Sequence, residues 1–232
     1  MNNICIIPAR GGSKRIPRKN IKEFNDKPII AYAIKAAIES GLFNEVMVST
    51  DDEEIAEVSK LYGAKVPFLR SQKNADDFAT TNDVLFEVIQ QYKQDFGVSF
   101  DNACCIYATN PLIQTQRLIE GFNLMLENKF HTVFPVVSFG YPIWRCLKRE
   151  ISGKTEMKWT EFMNSRSQDL ETMYHDAGQW YWFNIEKFST SKKMFTENTA
   201  SIILNEIEVQ DIDNETDWKM AEIKYEFLQK TK

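Results

Sequence analysis

An apolar run that opens into a basic loop stands near the start of this chain: Cys5-Ile6-Ile7-Pro8-Ala9-Arg10-Gly11-Gly12-Ser13-Lys14-Arg15-Ile16-Pro17-Arg18-Lys19-Asn20-Ile21. Residues 4–7 predict a short buried strand. The loop after it is rich in positive charge, and its cations are Arg10, Lys14, Arg15, Arg18, Lys19 and Lys22. Like charges this dense destabilise a fold unless an anion neutralises them. We expect Gly11 and Gly12 to take positive φ and, with Ser13, to direct backbone N–H groups at phosphate oxygens.

A basic loop can also be an ordinary solvated surface. Its place after a predicted central strand favours a ligand site, because open α/β sheets bind ligands at the carboxyl ends of their strands. The loop matches neither Gly-x-Gly-x-x-Gly nor Gly-x-x-x-x-Gly-Lys-Ser/Thr. The fingerprints of dinucleotide-binding proteins and P-loop NTPases are therefore absent, and a phosphate site of another type is indicated.

The run Ile-Pro-Ala-Arg-Gly-Gly-Ser-Lys-Arg-Ile-Pro-Arg-Lys-Asn-Ile at residues 7–21 resembles the N-terminal signature of the acylneuraminate cytidylyltransferases, which make CMP-activated nonulosonic acids. The resemblance continues in order over essentially the whole chain. It implies an α/β, Rossmann-like nucleotidyltransferase fold that binds CTP. It also implies that Arg10, Lys14 and Lys19 are catalytic residues at the phosphates, and that further CTP contacts come from Ala9, Gly11, Gly12, Ser13 and Asn20.

Length and composition bound the class of protein. The 232 residues suffice for one domain, 1–232, with a small excursion. No apolar run approaches the length of a membrane span and no signal-peptide pattern is present, so we expect a cytoplasmic protein without a membrane partner. The formal net charge of −5 argues against nucleic acid as a partner.

The four cysteines and two histidines show no zinc-binding spacing. Adjacent Cys104 and Cys105 lie in an apolar run, which is more typical of buried thiols than of a disulfide.

Strand and helix patterns alternate along most of the chain. The predicted strands are 4–7, 45–51, 66–70, 103–108 and 132–139, and the predicted helices are 28–38, 53–62, 83–92 and 118–126. Gly41 and Gly63 follow two of these helices as stop signals. Such alternation implies right-handed crossovers and a mostly parallel central sheet flanked by helices.

Two polar segments follow predicted strands. Asp51 lies at a strand end where sites are common, but it can equally cap the next helix, and we favour the cap. The family resemblance implies that Arg70, Asp77 and Thr81 help to hold the nucleotide. Thr81 or Asn82 can also cap the helix that follows, and the two interpretations are compatible.

Thr109-Asn110-Pro111-Leu112 resembles the Thr-Ser-Pro-Leu turn of the family, which implies that Thr109 and Asn110 contact substrate. The sialic acid enzymes have a glutamine and an arginine where this chain has Tyr107 and Ile113. Tyr-Ala-Thr-Asn-Pro resembles instead the branch of the family that acts on pseudaminic acid.

Residues at about 140–173 lose regular periodicity and are rich in aromatic side chains. The family uses its equivalent segment as a dimerisation arm that reaches the neighbouring subunit's sugar site. The resemblance therefore implies a homodimer, with Arg166 at the sugar carboxylate. The alternative is a β-hairpin packed on its own domain.

The run 174–183 predicts a strand in which Trp180 and Trp182 share one side. Aromatic faces suit sugars, but core packing is the commoner use of such a stripe. Asp-Ala-Gly-Gln-Trp-Tyr-Trp also resembles the pseudaminic acid branch. His175 and Gln179 are the better candidates for polar contacts with a sugar.

Asp211 and Asp213 flank Ile212 near the end of the chain. On an extended segment two acids at this spacing point to one side, so both carboxylates can bind one hard cation. Asp213 or Asn214 can instead cap the tail helix. The family resemblance favours the metal, because its Asp-x-Asp at this place binds Mg²⁺.

The family resemblance, together with these features, implies transfer of CMP from CTP to the anomeric hydroxyl of a nine-carbon sugar acid, pseudaminic acid, with release of pyrophosphate. A related transferase acting on another sugar is one alternative. A non-catalytic nucleotide-binding module is a second, although such a module does not require the acid pair at Asp211 and Asp213.

Overall fold

The computed structural model describes residues 1–76 and 78–230. Its strands are β1 (Asn3–Pro8), β2 (Glu23–Phe24), β3 (Lys27–Pro28), β4 (Glu45–Ser49), β5 (Asn102–Ile106), β6 (Thr132–Ser138), β7 (Leu147–Arg149), β8 (Thr155–Met157), β9 (Tyr174–Asp176), β10 (Trp180–Asn184) and β11 (Thr199–Ile203). Its helices are α1 (Ile30–Ser40), α2 (Glu53–Leu61), α3 (Thr81–Asp95), α4 (Thr115–Asn128), α5 (Ile185–Ser191) and α6 (Glu215–Lys230). The predicted alternation of strands and helices is confirmed.

A mixed central sheet runs in the order β11-β6-β10-β5-β1-β4, with β9 paired to β6. β1 pairs in parallel with both β4 and β5, and β11 pairs in parallel with β6. β10 is inserted antiparallel between β5 and β6. The carboxyl ends of the parallel strands therefore lie at one edge of the sheet. The prediction of a mostly parallel sheet is confirmed.

β1 lies inside the sheet between β5 and the edge strand β4, and its side chains alternate between the two faces. Cys5 and Ile7 belong to the apolar cluster that also contains α1 and α4 residues, whereas Ile4 and Ile6 belong to the cluster with α3 and α5 residues. All four side chains are fully buried. This central strand fixes where the basic loop leaves the sheet.

The aromatic stripe of β10 belongs to the core. Trp180 and Trp182 are both fully buried, and the Trp182 ring stacks on Phe43 with the centroids 4.9 Å apart. The core alternative for these tryptophans is therefore confirmed.

The predicted strand 66–70 is wrong. Only an isolated parallel bridge between Met47 and Lys65 forms there. Lys65 and Arg70 each donate a backbone hydrogen bond to the β4 side, to Val46 O and Thr50 O. The segment between them runs along the sheet without a continuous ladder of hydrogen bonds. The apolar run at 66–69 therefore does not form the predicted strand.

Both helix-cap predictions are wrong by one or two residues. Asp52, rather than Asp51, caps α2 by accepting from Ile55 N. Thr80, rather than Thr81 or Asn82, caps α3 in a capping box with Asp83. Asp51, Thr81 and Asn82 do not cap a helix, so their side chains are available for other contacts.

The predicted strand 174–183 is broken into β9 and β10. Residues 177–179 bulge out of the ladder along β6, and Gly178 takes φ +63°. Ala177 N still donates to Pro135 O across the break. Because the break lies at the carboxyl edge of the sheet, it opens space beside the strand ends.

The C-terminal helix α6 packs on the basic loop. Ile212, Trp218 and Ala221 are buried with Ile16 and Phe24 in one apolar cluster. The end of the chain is thus placed against its beginning.

The excursion at 140–173 contains the two-stranded hairpin β7–β8 and an aromatic cluster of its own. The Trp144 ring lies 5.7 Å from that of Trp159 and 5.4 Å from that of Phe162. Leu147, Ile151 and Met163 are exposed. Whether this arm forms a homodimer stays a prediction.

Among residues 1–76 and 78–230, no helix is long and apolar enough to cross a membrane. Cys5, Cys104 and Cys105 are buried free thiols, as expected.

Candidate functional site

Two neighbouring cavities lie at the carboxyl edge of the sheet. The first has a volume of about 550 Å³ and is bordered by the basic loop, Arg70 and the start of α3. The second has a volume of about 570 Å³ and is bordered by the ends of β6 and β9 and by the segment before α6. Tyr107 lines both. The arrangement offers a basic compartment and a second compartment that meet at one side chain.

The first cavity brings together most of the residues predicted to bind CTP. Those that line it are Arg10, Ser13, Lys14, Lys19, Asn20, Arg70 and Thr81. Ala9 does not, because its side chain is buried in the core and its N–H donates to Ser49 O. Asp77 lies outside the described residues.

The expected conformation of the two glycines is wrong. Neither Gly11 nor Gly12 has positive φ. The Gly11 N–H donates to Asp51 Oδ1 over 3.0 Å, and the Ser13 N–H donates to Gly11 O. These two N–H groups stabilise the loop by bonds within the protein, and a contact between the backbone of residues 11–13 and a phosphate stays a prediction. Neither glycine lines the first cavity.

Lys19 and Asn20 anchor the far side of the loop. Lys19 Nζ donates to Ile212 O over 2.7 Å, and Asn20 Nδ2 donates to Arg10 O over 2.8 Å. Burial lowers the pKa of Lys19, while Asp213 and Asp211 act in the opposite direction. A partly desolvated ammonium of this kind interacts strongly with an approaching anion.

Three other cations of the loop are held by acids from elsewhere in the chain. Arg18 pairs with Asp52 and Glu54 at the start of α2, Arg15 pairs with Asp213, and Lys22 pairs with Glu215 of α6. The hydrogen bond from Arg18 holds the pKa of Asp52 down at about 2. The loop's charge is thus neutralised in part by the protein, so the cations that line the first cavity are a subset of those counted in the sequence.

Arg70 is buried at the edge of the first cavity. Its Nε donates to Ser49 Oγ over 3.1 Å, and a terminal nitrogen donates to Ser49 O. Burial lowers the pKa of Arg70, and the charge of Asp51 opposes that shift. Arg70 is therefore oriented by the end of β4, with its position fixed before any ligand binds.

Thr109 and Asn110 differ in their placement. Thr109 lines the first cavity. Asn110 is buried, and its Nδ2 has no hydrogen-bond partner among the described residues. Asn110 lines neither cavity, so a contact with substrate stays a prediction for it.

The second cavity is polar. Tyr181 donates its hydroxyl hydrogen to Asp176 Oδ2 over 2.6 Å, and Gly178 N donates to Asp176 Oδ1 over 2.8 Å. Burial raises the pKa of Tyr181 and that of Tyr107, so both phenols stay protonated as donors. The Tyr107 ring lies 5.4 Å from that of Tyr181, and because Tyr107 lines both cavities it links them.

Of the residues predicted to contact the sugar, the structure brings His175 into the second cavity. Its ring Nδ1 lies 2.9 Å from Asp176 O. Gln179 is buried and donates to Glu208 O over 2.6 Å, off the walls of both cavities. Arg166 lies in the arm, pairs with Asp169 and also lines neither cavity.

The acid pair lies between the two cavities. Asp211 lines the second, and Asp213 pairs with Arg15, whose side chain lines the first. The cap of α6 is Asn214, whose Oδ1 accepts from Thr216 N and Asp217 N. Of the two caps that the sequence offered, Asn214 is therefore confirmed and Asp213 is not used. Neither Asp211 nor Asp213 caps the helix.

The carboxylates of Asp211 and Asp213 can hold Mg²⁺ only together with ligands from water or substrate. Among the described residues no group of three or more acidic, histidine or cysteine side chains forms a metal cluster. Mg²⁺ is commonly held by one or two carboxylates together with water and substrate phosphates. Two carboxylates beside the basic loop fit that pattern.

Sequence reasoning missed several residues of the second cavity. Asp176 and Tyr181 lie in a run that predicts only a strand, and their convergence depends on the break at 177–179. Lys224 lies in the tail helix and lines the cavity from the opposite end of the chain. Tyr107 could have been found from the sequence, because it stands where the sialic acid enzymes have a glutamine.

Comparisons with known proteins agree with this geometry. A family model described as cytidylyltransferase matches residues 4–232. A pseudaminic acid cytidylyltransferase of Campylobacter jejuni is 40% identical over 228 residues, 97% of each chain. A CMP-N,N'-diacetyllegionaminic acid synthase of Legionella pneumophila is 34% identical over 233 residues, 96% of this chain and 95% of that one.

The fold also matches solved structures. The chain superposes on CMP:2-keto-3-deoxy-manno-octonic acid synthetase, solved in complex with CTP, with a TM-score of 0.68. The alignment covers 99% of this chain and 100% of that one at 15% identity. At this identity the match shows a common fold.

Proposed function

The chain belongs to the cytidylyltransferase family, and from this premise we propose that it transfers CMP from CTP to the anomeric hydroxyl of pseudaminic acid, a nine-carbon 2-keto sugar acid. Pyrophosphate is the second product. The observation that carries the proposal is the pair of cavities that meet at Tyr107. One is lined by cations suited to a triphosphate, and the other has the polar groups that a sugar requires.

Catalysis by this chain rests on positioning and charge. Negative charge on a triphosphate is the main barrier to nucleotidyl transfer, and fixed cations lower it without reorganising. Arg10, Lys14 and Lys19 line the first cavity and hold the phosphates. Arg70 and Asn20 border the same cavity and contact the nucleoside. With both substrates held at Tyr107, attack becomes effectively unimolecular.

We further propose that Asp211 and Asp213 hold Mg²⁺ together with the phosphates. When bound, the metal supplies Lewis-acid polarisation and lowers the pKa of the attacking hydroxyl. Lys19 bonds to the carbonyl of Ile212, between the two aspartates. It therefore orients the acid pair relative to the basic loop, and it keeps a cation near the two carboxylates.

The choice of sugar rests on two lines of support. The relative at 40% identity carries the name pseudaminic acid cytidylyltransferase, whereas the legionaminic acid synthase is at 34%. Tyr107 and Ile113 also stand where the sialic acid enzymes have glutamine and arginine. Since Tyr107 lines the second cavity, its phenol changes the shape and hydrogen bonding offered to the sugar.

We propose that two copies of the chain associate through the arm at 140–173. Leu147, Ile151 and Met163 leave apolar surface exposed there, and aromatic and methionine side chains are enriched in interfaces. Light scattering coupled to gel filtration tests this, and a monomer at micromolar concentration would contradict it. Because CTP is a cytoplasmic metabolite, we place the reaction in the cytoplasm.

The test of function is pyrophosphate release with CTP, Mg²⁺ and one of three acceptors: pseudaminic acid, N-acetylneuraminic acid or 3-deoxy-octulosonate. We expect release with pseudaminic acid and little with the other two. Release with another acid would keep the reaction and change the substrate. Silence with all three acids despite CTP binding would favour a nucleotide-binding module and refute the proposal.

A further inference from the structure

The second cavity has an unusual balance of charge for the acceptor that we assign to it. Three carboxylates line it, those of Asp176, Glu206 and Asp211, against one lysine side chain, that of Lys224. The acceptor is itself an anion, because a 2-keto sugar acid carries a carboxylate at neutral pH. Its carboxylate is repelled from most of the wall, so a single position in this cavity attracts it.

Lys224 is built to accept such a ligand. Its Nζ donates to Val209 O over 2.6 Å and to Glu206 O over 3.1 Å. An ammonium has three N–H donors, and no acceptor within residues 1–76 and 78–230 takes the third. The side chain is half-buried, and burial lowers its pKa, so water screens its charge poorly. An anion placed against it therefore gains more than at an exposed lysine.

The position of Lys224 also agrees with the chemistry of the acceptor. In a 2-keto sugar acid the carboxylate and the reacting hydroxyl are attached to the same anomeric carbon. A residue that binds the carboxylate must therefore lie next to the groups that act on the hydroxyl. Lys224 bonds to the carbonyl of Val209, two residues before Asp211.

Other cations of the same subunit are poorly placed for this contact. The side chain of Arg166 is 74% exposed and pairs with Asp169, and it lines neither cavity. His175 is the other side chain of the second cavity that can become positive, but its Nδ1 faces Asp176 O. Four cations of the basic loop, Arg10, Lys14, Arg15 and Lys19, line the first cavity, where we place the triphosphate.

We propose that Lys224 binds the carboxylate of the sugar acid and thereby sets the orientation of the anomeric hydroxyl toward Asp211. This inference rests on the proposed function and adds the residue that recognises the acid group. Lys224 is a specificity-determining residue in this scheme, because a neutral sugar of the same shape loses the contact.

The test compares Lys224→Gln with Lys224→Arg. Glutamine removes the charge, so the KM for the sugar acid should rise roughly tenfold to a hundredfold while the KM for CTP stays within about twofold. Arginine keeps the charge and should stay within severalfold of wild type. The methyl ester of the sugar acid separates recognition from structure. Wild type should prefer acid over ester by at least tenfold in kcat/KM, and Lys224→Gln should lose that preference.

Three results would overturn the inference. One is a Lys224→Gln enzyme that still prefers acid over ester as wild type does. Another is loss of that preference in Arg166→Gln or His175→Asn with Lys224→Gln unaffected. If Lys224→Gln does not fold, protection of the wild-type lysine from reductive methylation is measured by mass spectrometry. Protection by the acid but not by the ester is expected, and equal modification with and without acid refutes the assignment. Failure of wild type to use any sugar acid would instead refute the proposed function itself.

Discussion

Replacing Gly11 with alanine should destabilise the fold at the point where the basic loop meets α2. A Cβ at this position would lie 2.7 Å from Asp52 Oδ2, 3.1 Å from Asp52 Cβ and 3.3 Å from Asp52 Cγ. These atoms cannot approach so closely, so the Asp52 side chain must move. Gly11 is thus required for close packing and not for a special φ, which is negative here.

The cost follows from what Asp52 holds. Its Oδ1 caps α2 by accepting from Ile55 N over 3.0 Å, and loss of such a cap costs about 1 kcal/mol. The same carboxylate accepts from an Arg18 terminal nitrogen over 2.9 Å. Since the two side chains are 38% and 22% exposed, solvent screens the pair and we assign it about 1 kcal/mol. Gly11→Ala should therefore lower the free energy of unfolding by about 2 kcal/mol.

Gly12→Ala is the matched control. A Cβ at Gly12 meets nothing within 4 Å, so this variant should stay within about 0.5 kcal/mol of wild type. Urea denaturation at neutral pH measures both values. The KM for CTP, measured in parallel, should rise several-fold in Gly11→Ala. Arg10 and Ser13 lie in the same loop as Gly11 and line the first cavity, so a shift of this loop moves them as well. Equal stability of the two variants would refute the reasoning.

Three further predictions concern other parts of the fold and site. Gly121→Ala should cost about 1–3 kcal/mol by overpacking, because the new Cβ would lie 2.3 Å from Trp180 Cη2; an unchanged midpoint of thermal unfolding would contradict this. The depressed pKa of Asp52, about 2 against 3.8, gives stability that is present above about pH 4 and is lost as the pH falls towards 2. Arg18→Gln should flatten that part of the stability profile in urea denaturation at pH 2–7, and an unaltered profile would exclude the pair as its cause. Asp211→Asn should abolish pyrophosphate release while unfolding stays cooperative, and retained turnover would exclude this carboxylate from the metal site.

The sequence predicted the sheet and the basic loop well because both signals are local. The apolar run at β1 has turn residues directly after it, and its alternation between two apolar clusters follows from strand geometry. Gly41 ends α1 in the left-handed conformation, as a glycine after a helical pattern indicates. Features of this kind depend on residues a few positions apart.

Predictions failed where an outcome depends on distant partners. Residues 66–69 have the composition of a strand, but the single bridge to β4 forms at Lys65, just before them. The break at 177–179 depends on how β6 pairs with both β9 and β10, which no local pattern indicates. Which loop cations face the first cavity depends equally on acids placed elsewhere, such as Glu215 for Lys22.

The segment 206–213 explains why the site needs the complete fold. Gln179 donates to Glu208 O, and Arg117 of α4 holds the Glu208 carboxylate through two bonds of 3.1 Å. Burial alone would raise the pKa of Glu208, yet the bonds from Arg117 bring it below its usual value. Lys19 then fixes the carbonyl of Ile212 from the other end of the chain. Each contact joins residues far apart in sequence, so Asp211 reaches the cavities only after the sheet, α4 and the basic loop have assembled. The acid pair is therefore positioned by the same contacts that stabilise the carboxyl edge of the sheet, and loosening that edge should reduce activity before it unfolds the protein.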